Sequence, residues 1–356
     1  MKIIWGILIL LVIMVVHEFG HFIIARLNGI EVKEFTIGFG PKLYGKVLKG
    51  GTKFSIRLVL FGAACVFEDL DAENEDDDLE TIFANSAYRK ANVWSRIATT
   101  AAGPLFNLLL AFVAGLFLMS YIDMPPTVIT GIIDGGAAQE AGLQVGDRIC
   151  KINNSSTYLY PEVSLAVQLG YGKPLKLVYE RDGKKNSIEL IPKLDETYGY
   201  YMIGVEFGRD LAEKEKGSLS IIKDSFLYVR YMVKMTIDSI RMLFNGSAKV
   251  SDLAGPVGAV EIVGDEYEAA KEEGTLAVVV SMLNIMLLLS ANIGIINLFP
   301  LPAMDGGKLL FLLYEAVRGK PADAKVEGTI QFVGIALLFL LMIIVLYNDI
   351  ARLFTG

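Results

Sequence analysis

The chain has 356 residues, 53% of them hydrophobic and 21% charged, with a mean hydropathy of +0.47. That is too apolar for an ordinary soluble domain and argues against a disordered chain. The net charge of −7 says little about partners, and no basic cluster points to nucleic acid.

In chain order, the first element is an apolar stretch over Ile3–Ala25, long enough to cross a bilayer. It lacks a small-x-small cleavage site, so it reads as a retained transmembrane helix rather than a signal peptide. It holds the only two histidines of the chain, in Val16-His17-Glu18-Phe19-Gly20-His21-Phe22. On a helix, His17 and His21 lie one above the other on one face. Two neutral imidazoles there can grip one Zn²⁺, with Glu18 placed to act as general base. Ionisable groups in a membrane span are costly, which favours a functional reason for them.

The following segment contains Gly38-Phe39-Gly40-Pro41 and the alternating run Lys53–Leu60, which predict short strands separated by turns. The acidic run Glu68–Glu80 reads as a solvated loop. A second apolar stretch covers Ile97–Ile122. Beyond it, Thr127–Lys193 alternates strand-like runs with turn residues. A short helix precedes Gly142, Gly146-Asp147 forms a turn, and the strand Leu175–Arg181 is followed by the turn Asp182-Gly183. Ser218–Phe244 then has apolar residues at helical spacing interrupted by Lys223, Arg230, Lys234 and Arg241, a basic amphipathic helix for a membrane surface. Further spans are expected at Leu276–Phe299 and Thr329–Tyr347.

A catalytic zinc takes three protein ligands and leaves one position open. With no third histidine, the remaining ligand is a carboxylate or a cysteine. Asp305 is the leading candidate, in Asn297-Leu298-Phe299-Pro300-Leu301-Pro302-Ala303-Met304-Asp305-Gly306-Gly307. Two prolines two apart stop a helix, and paired glycines allow a tight turn. Non-helical backbone at membrane depth is tolerated where it lines a cavity, which a catalytic zinc requires.

Lys and Arg concentrate between the first and second spans and between the third and fourth, which places both loops in the cytoplasm. Both termini and the long central segment are then extracytoplasmic, and the metal site lies in the membrane near its cytoplasmic side. Cys65 and Cys150 fall on opposite sides, so no disulfide is expected.

These motifs carry a resemblance. His17-Glu18-x-x-His21 with Asn297-x-x-Pro300-x-Pro302-x-x-Asp305-Gly306 resembles the site-2 protease family of intramembrane zinc metalloproteases, in its bacterial regulator-of-sigma-E type. Gly103-Pro104-x-x-Asn107 and Gly255-Pro256-Val257-Gly258 extend the resemblance over essentially the whole chain. Met304 stands where the family more often has leucine. Thr127–Lys193 looks like a bacterial PDZ domain, in a single copy.

The resemblance implies that His17, His21 and Asp305 bind zinc and that Glu18 activates water. Asn297, Pro300 and Pro302 would contact substrate, and Gly38, Phe39 and Gly40 would help to position it. Implied substrates are single-pass membrane proteins, such as anti-sigma factors already cut by an upstream site-1 protease, and remnant signal peptides. The lipid bilayer is the other partner, and no nucleic acid is implied.

The expected fold is a polytopic α-helical membrane protein with four transmembrane helices, a membrane-associated β-hairpin or sheet and an inserted extracytoplasmic PDZ domain of α+β type. Its divisions are 1–26 (first span), 27–96 (β region and acidic loop), 97–122 (second span), 127–193 (PDZ), 194–275 (region with the amphipathic helix), 276–307 (third span and proline segment), 308–328 (cytoplasmic loop) and 329–356 (fourth span and tail). A bacterial inner-membrane zinc endopeptidase is the reading favoured. The alternatives are a non-catalytic PDZ scaffold and a divalent-ion transporter; the chain shows no internal repeat, and neither alternative gives Glu18 a role.

Overall fold

The computed structural model describes residues 2–67, 87–122, 124–196, 199–208, 217–245 and 255–355. The acidic run Glu68–Glu80 lies outside the described residues. The chain begins with α1 (Lys2–Leu27), β1 (Glu34–Val47), β2 (Lys53–Val66), the single turn α2 (Ala87–Lys90) and α3 (Val93–Tyr121). Next come β3 (Ile129–Ile132), α4 (Ala137–Glu140), β4 (Arg148–Ile152), β5 (Ser155–Ser156), α5 (Tyr160–Gln168), β6 (Leu175–Arg181) and β7 (Lys184–Leu190). Then follow β8 (Lys193–Asp195), β9 (Tyr200–Met202), β10 (Val205–Phe207), α6 (Ser218–Phe244), α7 (Pro256–Glu273), α8 (Thr275–Leu298), α9 (Asp305–Arg318) and α10 (Ala324–Thr355). Contacts divide these into two compact units, Met1–Gly115 with Met232–Gly356, and Leu116–Tyr231.

In the first unit, parts of α1, α3, α8 and α10 form the membrane-type helices: among the described residues, four helices are long and apolar enough to cross a bilayer. A helix satisfies its backbone groups internally, which is what hydrocarbon demands of a spanning segment. Ile9 and Ile13 of α1 pack with Val263 and Tyr267 of α7 and with Met282 and Ile285 of α8. Where α1 meets α3 the backbones nearly touch. A Cβ on Gly20 would stand 2.6 Å from the Ala102 carbonyl oxygen, so only glycine fits there.

Helix α7 is an element that the sequence reading passed over. Gly255 and Pro256 open it, and Gly274 at φ +115° ends it. Its first turn receives the carboxylate of Asp349 from α10, which accepts the N–H groups of Gly255 at 3.1 Å and Gly258 at 2.8 Å. That buried aspartate satisfies donors a helix start leaves open.

Strands β1 and β2 are each bent and pair more than once. Residues 34–37 run parallel to 53–56 and antiparallel to 63–66, while 44–47 run antiparallel to 53–56. Two chain segments thereby make a sheet four runs wide, with 59–66 along one edge. Polar side chains pin its centre: Arg57 donates to Thr36 Oγ1 and Glu34 Oε1, each at 3.1 Å.

The second unit is built on an antiparallel sheet in the order β5-β4-β6-β7. The β6–β7 turn has Asp182 at φ +51° and Gly183 at φ +73°, the two left-handed residues of a tight hairpin. Ile129, Ile149, Ile152, Val163, Leu175 and Leu177 form its core, none more than 2% exposed. The pairing runs past residue 193, because β10 lies against β3 with Val205 opposite Ile132 and Phe207 opposite Ile129. Glu162 caps α5 by accepting the N–H groups of Tyr158 and Leu159, and its other oxygen accepts Arg230 of α6 at 2.7 Å.

Candidate metal centre

The two imidazoles of α1 meet one carboxylate from the far end of the chain. His17 Nε2 and His21 Nε2 lie 3.2 Å apart, as i, i+4 geometry allows. Asp305 Oδ2 stands 3.1 Å from the first and 3.3 Å from the second. Three donors at the corners of a tetrahedron with zinc bonds of 2.0–2.1 Å would be about 3.3 Å apart, so the triangle has the size that zinc requires. Asp305 Oδ2 is also buried without a hydrogen-bond partner. An acceptor left that way is costly in a protein interior and ordinary for a metal ligand. The residues present fit a zinc ion, and among the described residues this is the group of His, Cys, Asp and Glu side chains close enough to hold one.

Local sequence explains how Asp305 arrives there. Helix α8 stops at Leu298 before Pro300 and Pro302, and the chain reverses through Leu301 N–H to Phe299 carbonyl (2.7 Å) and Met304 N–H to Leu301 carbonyl (3.2 Å). Ala303 takes a left-handed φ of +70°, and its N–H donates to Gln331 Oε1 of α10 at 2.6 Å. Gly334, one turn on, lies directly against Pro302. Gly306 and Gly307 open α9 so close to the carbonyls of Leu298, Phe299 and Leu301 that a Cβ at either would collide. Asp305 is thereby the first residue of a helix whose backbone doubles back on the preceding one.

Helix α3 forms the opposite wall. Gly103 faces the imidazoles so closely that a Cβ there would lie 2.6 Å from His21 Cε1 and 2.9 Å from His17 Cε1. His21 Nδ1 sits 2.8 Å from the Thr99 carbonyl, and the Asn107 amide lies 3.2 Å from His17 Nδ1. Glu18 is outside the ligand triangle: its Oε2 accepts the backbone N–H of Cys65 at 2.9 Å, on the edge run of β2. The base candidate is thus held at the junction of metal centre and sheet.

The other residues singled out from sequence stand on α8, on the loop before Asp305 and in β1. Asn297 is half-buried on the last turn of α8, and Pro300 and Pro302 form the reversal before Asp305. Gly38 and Gly40, at φ +84° and +83°, bend β1 on either side of an exposed Phe39. This bend packs on Val59 and Gly62 of β2. Sequence reasoning gave no role to Thr99, Asn107, Gln331 or the Cys65 N–H. Two of these are backbone groups with no residue-type signal, and the Gly103-Pro104-x-x-Asn107 motif was the available clue to a third.

The model of peptidase family M50 matches residues 5–341. The chain belongs to peptidase family M50. Relatives include the zinc metalloprotease RasP of Bacillus licheniformis, 32% identical over 95% of this chain and 96% of its own length. The regulator of sigma-W protease RasP of Bacillus subtilis is 30% identical, over 95% of each chain. A PDZ domain of an SdrC-like protein from Listeria monocytogenes is similar in structure over 24% of this chain and 90% of that domain, at 18% identity and a TM-score of 0.21. As an M50 peptidase of the site-2 protease type, the chain is a membrane-located, zinc-dependent metalloprotease.

Proposed function

We propose that His17, His21 and Asp305 hold the zinc and that Glu18 is the general base of a peptide-bond hydrolysis within the membrane. The observation that carries this reading is the 3.1–3.3 Å triangle of Nε2, Nε2 and Oδ2 beside a carboxylate on the same helix. When bound, zinc polarises a scissile carbonyl and makes water acidic enough to lose a proton near neutral pH. Glu18 takes that proton and returns it to the leaving amide nitrogen. The Asn297 side chain, on the helix that leads to the ligand loop, donates to a substrate carbonyl.

A helical substrate has its carbonyls tied up in i to i+4 bonds, so it must unwind before attack. The edge run 59–66 of β2, the segment whose Cys65 N–H reaches Glu18, receives the unwound stretch as an added strand. The bend at Gly38, Phe39 and Gly40 aligns it. Substrates are single-pass membrane proteins, anti-sigma factors shortened by an upstream site-1 protease and remnant signal peptides among them.

Thr127–Lys193, within the unit Leu116–Tyr231, is read as a PDZ domain. The unit's groove of about 760 Å³, lined by Tyr160, Val163, Val167, Tyr201, Ile203 and Val205, is the place for an extended peptide. In the bacterial inner membrane, both termini and this unit face the outside and the metal centre lies toward the cytoplasm.

The test is cleavage of a tagged single-pass protein in detergent after zinc is stripped with a chelator. Activity should vanish and return with added zinc; cleavage by the stripped enzyme would refute the reading. The orientation is read from the two cysteines: a membrane-impermeant maleimide on intact spheroplasts should label Cys150 and spare Cys65, and the reverse pattern would invert the topology.

A further inference from the structure

Asn107 has no part in the chemistry above, yet it is fully buried beside a proposed ligand. Its backbone carbonyl accepts Ser290 Oγ at 2.7 Å, which fixes this turn of α3 against α8. Gly294, on the next turn of α8, packs against its Cβ. The amide therefore has little freedom except rotation of its own plane.

That plane faces His17. Nε2 of His17 is turned to Asp305 and His21, so Nδ1 is the ring nitrogen left for a supporting partner, and the Asn107 amide occupies that place at 3.2 Å. An imidazole that offers Nε2 to a metal carries its proton on Nδ1 and needs an acceptor there. The other end of the same amide, Oδ1, is buried and has no partner. Amide oxygen and nitrogen are nearly interchangeable in shape, and a half-turn of the plane brings the unpartnered acceptor onto Nδ1–H.

His21 offers the comparison. Its Nδ1 faces the Thr99 carbonyl at 2.8 Å, a group that can only accept, so its proton is fixed on Nδ1. Helix α3 thus supplies one partner to each histidine, at positions two turns apart. We propose that Asn107 is a positioning residue of the metal centre: its amide oxygen accepts the His17 Nδ1–H, fixes the tautomer that presents Nε2 to the metal and holds the ring in the ligand plane. The inference rests on the assignment of His17 as a ligand.

The chain has only two histidines, so protein labelled with ¹⁵N-histidine reports on this site alone. The zinc-loaded wild type in detergent should show both imidazoles protonated at Nδ1. Asn107→Leu should lose the His17 Nδ1–H signal, retain that of His21, and bind zinc about 10- to 100-fold more weakly in competition with a chelator. Asn107→Asp, which can only accept, should restore both signal and affinity to near the wild-type values.

The retained His21 signal shows that the variant is folded. Wild-type zinc affinity and an intact His17 signal in Asn107→Leu would overturn the proposal, as would an Asp variant as weak as the Leu variant. His17→Ala separates the two levels. Zinc retained there refutes the ligand assignment, whereas zinc lost there but kept in Asn107→Leu refutes only the role of Asn107.

Discussion

His17 Nε2 and Asp305 Oδ2 stand 3.1 Å apart although they come from opposite ends of the chain. The two histidines could meet on α1 alone, but two ligands make a weak site and the third depends on the whole membrane unit folding. Asp305→Ala should therefore lower zinc affinity by more than about 100-fold, beyond what loss of a supporting hydrogen bond does. Chelator competition measures this, and retention of zinc would remove Asp305 from the ligand set.

Gly103 is where α3 touches the imidazoles. A methyl group there has to displace either the rings or the helix, and overpacking of this kind costs about 1–3 kcal/mol. Gly103→Ala should unfold at lower temperature in detergent and carry less zinc, both compared with the wild type. An unchanged melting temperature together with full zinc occupancy would show that the bulk of the side chain at position 103 does not constrain the imidazoles.

Gln331 holds the ligand loop from outside the metal centre. Its Oε1 takes the Ala303 N–H, and loss of that acceptor leaves a donor unsatisfied at a cost of about 1–3 kcal/mol. Gln331→Leu should weaken zinc binding through Asp305, while Gln331→Glu keeps an acceptor and should remain near wild type. Equal zinc affinity in all three proteins would show that α10 does not position the loop.

The local parts of this molecule were legible; among the long-range ones Asp305 was singled out and most others were not. His17 and His21 stand four residues apart on one helix, so their spacing alone predicts a shared face. The strand Leu175–Arg181 and its Asp182-Gly183 turn follow from alternation and residues that tolerate positive φ. Helix α7 was missed because Pro256–Glu273 mixes glycine, glutamate and short apolar runs, and its first turn is completed by Asp349 from another helix. The pairing of β10 with β3 and the double use of β1 and β2 depend on register between separated segments, which periodicity does not encode. The same holds for Asn107, whose partner lies on a different helix.

Asp147 gives the second unit a pH dependence. Burial pushes its carboxyl pKa up, but the hydrogen bond from Arg181, the Gln144 N–H and the Arg181 charge outweigh burial and hold it below the usual carboxylate value. A carboxylate depressed on folding contributes stability that is present above its unfolded pKa and is lost as pH falls through the folded one. The thermal stability of this unit should therefore decline as pH falls below about 4, and Asp147→Asn should remove that part of the decline. An identical pH profile in the variant would assign the effect to other groups.

The most direct test of the account is the pair of wild type and Glu18→Gln, purified in detergent, assayed for cleavage of a tagged single-pass substrate and for zinc by mass spectrometry. The account predicts about one zinc in each protein, cleavage by the wild type, and a loss of at least about 100-fold in the variant. Cleavage by Glu18→Gln at the wild-type rate, or zinc in neither protein, would contradict it.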